Sequence, residues 1–310
     1  MGVGEVVVRS PRISVFRASF IVGYKRFREV GAQIYHSRTA MLGLSILAFF
    51  TFIAVAAPWL APYGPREAVS DAHPYTFLQT PNSFHPLGTN YFSFDIYSQV
   101  IWGTQISLIV GVASALVASV VGTAVGLISG FSGGWVDEVI MRFNDVVLSI
   151  PWLVLMIIVA AKLGIIDLTG IILVIGLTGW SVTARVIRSQ VLSIKERIFV
   201  ERARMIGTPS WRILMRHIFP NAFPLVFANT ILTVAVSILS ESVLAFLSLS
   251  PPTTVSWGKI ISEAIDNNAL GIGNPAWLIV PGLCIVFLVF GFYLFGYALD
   301  EILNPRLRRR

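Results

Sequence analysis

The chain has 310 residues, 55% of them hydrophobic and 13% charged, with 23 Lys and Arg against 16 Asp and Glu. Soluble domains carry about 25% charged residues, so this composition excludes a water-soluble enzyme, a disordered tail and a disulfide scaffold, and it points to a bilayer. The single cysteine, Cys284, leaves no intrachain disulfide and no cysteine metal cluster, and the net charge of +7 becomes a question of where the Lys and Arg sit.

Residues 1–38 are basic, and Val15 to Val30 mixes Phe16, Phe20, Ile21, Tyr24 and Phe27 with Arg17, Lys25, Arg26 and Arg28. That pattern predicts an amphipathic helix on the inner membrane surface. A helix needs about 20 mainly apolar residues to cross the hydrocarbon core. Residues 39–60 form the first such segment. Ala54-Val55-Ala56 within it resembles a cleavage site, but 38 preceding residues far exceed a signal n-region, so an uncleaved anchor is expected. Residues 61–105, rich in Pro, Tyr and Phe, read as an ordered outer loop, and residues 106–131 as the second span. Gly122 and Gly126 there, followed by Gly130, are spaced to let helices approach closely, with lining of a pathway as the other reading.

Segments 146–161 and 168–184 are shorter. Pro151 opens the third with a kink or a helix start, and Gly164 to Asp167 joins the two tightly. They can be read as one re-entrant hairpin, but 16 to 17 apolar residues in each favour two spans. Residues 222–249 are the fifth span, carrying Asn229 and one deep acid, Glu241, whose burial costs roughly 3 kcal/mol unless it is paired. A packing hydrogen bond is preferred to a substrate contact for Glu241. An outer loop, 250–274, precedes the sixth span, 275–299, and the basic tail, 300–310. With both termini inside, 20 of the 23 Lys and Arg fall on the inner side, as the positive-inside rule requires.

Residues 185–221 form the longest inner loop. Ser193 to Ile206 reads as a helix, with Ile194, Ile198, Ala203 and Ile206 at helical spacing among charged residues. Gly207 suits a left-handed cap, Thr208 can cap a second helix with Pro209 at its first position, and Pro220 and Asn221 end that helix near Phe219. Trp211, Leu214, Met215 and Ile218 give the second helix an apolar side, and Arg212 and Arg216 a basic one. Such a pair could be gripped by a partner or could lie on lipid headgroups, and the physics alone leaves both open.

Glu201-Arg202-Ala203, Gly207 and Ile218-Phe219-Pro220 resemble the "EAA" loop of binding-protein-dependent ABC importer permeases. That loop reads Glu-Ala-Ala, three residues, Gly, nine residues, Ile, any residue, Leu-Pro. Glu201, Ala203, Gly207 and Pro220 match in register, whereas Arg202 replaces an Ala, His217 takes the Ile position and Phe219 replaces Leu. Ala57-Pro58 to Pro62-Tyr63, His85-Pro86-Leu87-Gly88-Thr89, Gly133 to Asp137, Ser250 to Gly258 and Asn304 to Leu307 are similar to the peptide/nickel branch of this family. The family's acidic stretch after the His-Pro-Leu-Gly-Thr is reduced here to Asp95.

The resemblance implies an all-α polytopic membrane protein with the type I ABC importer permease fold, six transmembrane helices and cytoplasmic termini, in a prokaryotic cell membrane. It implies a second permease subunit, two ATPase subunits that carry ATP and Mg, and an extracytoplasmic binding protein. The ATPase-contacting residues it marks are Glu201, Ala203, Gly207, Thr208, Pro209, Trp211, Arg212, Met215 and Pro220. Peptide import is the expected activity, with nickel or oligosaccharide import on the same architecture, or an autonomous carrier or channel, as alternatives. The chain has no Gly-x-x-x-x-Gly-Lys-Ser/Thr phosphate loop, so the ATPase belongs to other chains. Among the four histidines, His36, His73, His85 and His217, no pair has ligand spacing, so no metal is expected.

Overall fold

A computed structural model describes residues 28–69, 80–164 and 167–303. The expected amphipathic segment up to Phe27, His73 and the Asn304 to Leu307 motif lie outside the described residues. The described residues form helices α1 (Arg38–Leu60), α2 (Ile96–Ser132), α3 (Gly134–Ser149), α4 (Trp152–Leu163), α5 (Leu168–Thr178), α6 (Trp180–Lys195), α7 (Ile198–Met205), α8 (Ser210–Ile213), α9 (Phe219–Phe246), α10 (Trp257–Asp266) and α11 (Ala276–Leu303). Four runs are long and apolar enough to cross a membrane: α1, α2, the stretch Ser210–Phe246, and α11. The bent pairs α3–α4 and α5–α6 each pass the same test jointly, giving up to six among the described residues.

Side-chain caps start several helices. Ser37 Oγ accepts from Ala40 N–H (3.3 Å), Asp95 Oδ2 from Ser98 N–H (2.7 Å) and Asp167 Oδ1 from Gly170 N–H (2.9 Å). Asp95 also accepts from the Ser98 hydroxyl and lies 2.9 Å from buried His85 Nδ1. The His-Pro-Leu-Gly-Thr motif and the retained acid thus build the start of α2. That helix begins at Ile96, ten residues before the expected Ile106, because its polar first turns find partners outside the apolar stretch. Gln99 Nε2 donates to Pro65 O and Trp102 Nε1 to Tyr63 O.

The third expected span, 146–161, straddles a corner. The helix stops at Ser149, Ile150 is extended, and α4 leaves at 87°. Pro151 causes this, since the residue before a proline is pushed out of the helical region. The fourth, 168–184, is bent by 43° at Gly179. The segment 250–274, expected as an outer loop, contains α10 rather than irregular chain alone.

Helix α2 is the hub, packing most extensively on α6. A Cβ at Gly122 would lie 2.7 Å from Trp180 O, and one at Gly126 2.6 Å from Ala184 O. The glycine stripe is therefore the seam with α6, where small residues let two backbones meet. One apolar core at the far end joins Phe50, Ile238, Trp257, Trp277 and Leu288. A second gathers Ile187, Val191, Val200, Ile213 and Ile218 at the opposite end.

Candidate functional site

The segment after α6 folds as a bent arm. The single helix expected over Ser193 to Ile206 is broken: α6 stops at Lys195, Arg197 is extended (φ −82°, ψ 143°) and α7 follows. At the other end of α7, Gly207 has φ +79°. Its N–H donates to Arg204 O (2.9 Å) and Thr208 N–H to Ala203 O (3.1 Å). This pair of bonds is a complete Schellman cap, which needs a left-handed residue at Gly207. Pro209, not Thr208, then caps the second helix, in extended conformation.

The second helix does not end at Pro220. Ser210 to Ile213 runs through a π-helical turn, Leu214–Ile218, into α9 without a break. The physical reason lies in the proline. Pro220 has no N–H and its ring would collide with the carbonyl four residues back in an α-helix. In the widened turn Phe219 N–H reaches Leu214 O, five residues back, which re-spaces the carbonyls before the proline.

The arm has two faces. Val200, Ala203, Ile213, Leu214 and Ile218 are buried against Ile187, Val191 and Ile194 of α6. Outward stand Ile206 (83% exposed), Met205 (74%) and Trp211 (69%), with Ile198 and Met215 also exposed. Glu201, Gly207, Pro209, Arg212 and Pro220 share the exposed surface, Thr208 is half-buried, and Ala203 faces inward into the arm's own core. His217 is half-buried, its ring 6.5 Å from that of Phe199. Arg202, Arg204, Arg212 and Arg216 are exposed among the outward apolar side chains.

A clasp ties the arm's root to the bundle. Arg188 of α6 donates from Nε and Nη2 to the two carboxylate oxygens of Asp137 (2.7 and 2.6 Å). The Ser129 hydroxyl donates to the same carboxylate, and Lys195 Nζ donates to Phe131 O (2.9 Å). The two arms of the Arg188 fork make this pair geometrically specific. Sequence reasoning did not single out Arg188. Nothing in the local pattern separates Arg188 from Arg185, one turn earlier, which pairs with exposed Asp145 instead.

Within the spans, Glu241 is fully buried on α9. Ser107 of α2 donates to its Oε2 (3.3 Å), and the same Ser107 oxygen lies 3.5 Å from the Trp257 N–H that opens α10. Trp257 Nε1 donates to Val100 O (2.9 Å). Glu241 thus sits at the join of α2, α9 and α10. Asn229 Nδ2 donates to Thr183 Oγ1 (3.0 Å), linking α9 to α6. Among the described residues no three His, Cys, Asp or Glu side chains gather as a metal site.

Residues 122–309 match the family model described as binding-protein-dependent transport system inner membrane component, and residues 25–81 match the N-terminal TM domain of oligopeptide transport permease C. The chain is similar to the dipeptide transport system permease protein DppC of Alkalihalophilus pseudofirmus, with 31% identity over 91% of this chain and 90% of that one. It shares 33% identity with the oligopeptide transport system permease protein OppC of Bacillus subtilis, over 88% of this chain and 87% of that one. It shares 32% with the glutathione transport system permease protein GsiD of Pectobacterium atrosepticum, over 91% and 92%.

Proposed function

The chain belongs to the binding-protein-dependent transport system inner membrane components and is a permease subunit of an ABC importer, and from that premise we propose that it carries peptides inward while its bent arm receives force from a separate ATPase. The arm's exposed face is the observation that carries the coupling role. Trp211, Met205 and Ile206 stand outward in a stretch whose four arginines suit neither a buried core nor the hydrocarbon layer. Such a face reads as a surface awaiting a protein partner. Peptide as cargo rests on the names of the relatives, which are dipeptide, oligopeptide and glutathione permeases.

In this reading both termini and the arm lie in the cytoplasm of a prokaryotic cell, because 20 of the 23 Lys and Arg then fall inside. The six spans are α1, α2, the α3–α4 pair, the α5–α6 pair, α9 and α11, with α10 on the outer face. A second permease of similar build closes the pathway, a binding protein delivers cargo from outside, and two ATPase subunits hold ATP and Mg. Glu201, Gly207, Thr208, Pro209, Trp211, Arg212, Met215 and Pro220 meet the ATPase, and Ala203 supports them from within. ATP binding closes the ATPase pair and draws the arms together, so that two global states are biased by a ligand bound elsewhere.

The test is copurification and import. The membrane complex with Trp211→Ala and Arg212→Glu should lose its ATPase subunits while the permease still inserts. Retention of a fully coupled ATPase by that double variant would refute the docking face. Import of peptides by the parent complex in proteoliposomes tests the cargo class separately.

A further inference from the structure

The two bends leave a cavity of about 330 Å³ between them, within the roughly 300–1,000 Å³ range of ligand pockets. Its walls come from the α3–α4 corner at Ile150 and Pro151, the α5–α6 bend at Gly179, and the facing side of α9. None of the described residues lining it is charged. Discontinuous helices of this kind present amides and carbonyls that a continuous helix would use internally. At the second bend Gly179 N–H donates to Ile175 O (3.0 Å) and closes the end of α5.

Two side chains add directed polarity. Ser181 lines the cavity, is 2% exposed, and its hydroxyl has no hydrogen-bond partner among the described residues. Asn229 lines it from α9, and its amide nitrogen is committed to Thr183, which leaves the carbonyl oxygen as an acceptor. A buried hydroxyl left unmatched costs on the order of 1–3 kcal/mol, so a ligand that satisfies it gains that interaction. Lipid tails cannot. A divalent cation finds no carboxylate, imidazole or thiolate here.

We propose that this cavity is a transient contact site for the main chain of the peptide in transit, with the Ser181 hydroxyl donating to a cargo carbonyl and Asn229 Oδ1 accepting from a cargo amide. The site reads the group every peptide shares and ignores side-chain charge. This rests on the peptide reading of the preceding section and adds where, and by which atoms, the peptide is held.

The experiment uses the complete transporter in proteoliposomes, with its binding protein preloaded from a pool of unblocked peptides of two to five residues. A photoreactive benzoylphenylalanine replaces Leu155, which lines the cavity. An ATP-dependent adduct carrying the mass of a pool peptide supports the site. An adduct only with the second permease or with lipid, while import proceeds, overturns it. In parallel, Ser181→Ala combined with Asn229→Leu should slow import about tenfold and leave ATPase stimulation by the loaded binding protein within twofold. N-methylation of the cargo's internal amide should slow the parent by a similar factor and the double variant no further. Import by the double variant within twofold of the parent overturns the inference and leaves peptide import standing. No uptake of any pool peptide by the parent removes the peptide reading itself, and this inference with it.

Discussion

Gly207 offers a clean test of the arm because its strain is confined to the backbone. Its φ is +79°, and a Cβ built there meets nothing within 4 Å. Gly207→Ala therefore adds no collision, and its cost is the left-handed penalty alone, about 1–2 kcal/mol. At 1.4 kcal/mol that is a tenfold change in an equilibrium. If docking selects the bent arm, ATPase affinity should fall about tenfold. Asn tolerates the left-handed region better, so Gly207→Asn should fall less. Gly207→Pro should be the most severe. Its φ is fixed near −65°, it deletes the N–H that donates to Arg204 O, and it pushes Ile206 out of the helical conformation that residue now has (φ −79°, ψ 0°). The assay is ATPase copurification followed by import per ATP hydrolysed in proteoliposomes. Equal behaviour of the Ala and Asn variants, or normal coupling with Pro, would refute the argument that the left-handed cap sets the arm's angle.

Three further outcomes are expected. Gly126→Ala should weaken folding by about 1–3 kcal/mol, seen as early thermal unfolding in detergent, because its Cβ meets the Ala184 backbone oxygen at 2.6 Å; Gly282→Ala, where a Cβ meets nothing within 4 Å, should cost much less. Burial raises the Glu263 carboxyl above its ordinary value of 4.5, against the opposing pull of Lys259 and Arg66. An acid with a raised folded pKa costs stability once the pH passes its unfolded value, so Glu263→Gln should raise the unfolding temperature at pH 7, and the gain should vanish as the pH falls below about 4. Glu241→Gln keeps an acceptor for Ser107 and should import within twofold of the parent, whereas Glu241→Leu removes that acceptor and should expose a cysteine placed at Ser262 of α10 to aqueous labelling; unchanged labelling would deny Glu241 its place in holding α10.

The long apolar helices were legible because twenty uncharged residues have few other uses, and the Gly207 cap because a left-handed residue followed by Pro209 is a local signal. The corner at Ile150 was only half legible. Pro151 announced a kink, but hydropathy runs smoothly across the bend and suggested one rod from 146 to 161. The start of α2 was hidden for a different reason. Ser98 and Gln99 look like loop residues until Asp95 and Pro65 supply their partners. Pro220 misled in the opposite direction. A proline usually ends a helix, and the π turn that accommodates this one depends on how residues 214–218 pack on α6. Ser107, which donates to Glu241, and Arg188, which forks onto Asp137, lie 134 and 51 residues from those acids, beyond any local pattern.

The continuity through Pro220 changes what the arm can do. A break there would make the arm a hinged hook whose displacement is partly lost before reaching the membrane. Instead Ser210 to Phe246 is one 37-residue run, roughly 55 Å long at 1.5 Å per residue, with its proposed docking end and its Glu241 end on the same rod. The other root of the arm, α6, is packed on α2 along the glycine seam and tied to α3 by the Arg188 fork on Asp137. A pull on the arm therefore acts on α9 against a fixed α2–α6 pair. Where α9 faces α6 in mid-span, the two helices are linked by the Asn229 to Thr183 hydrogen bond, and both residues line the cavity at the helix bends. In the proposed mechanism, that bond is where force from the ATPase first alters the space offered to cargo. Asn229→Leu alone should then change import per ATP more than it changes ATPase rate, whereas Trp211→Ala should change both together.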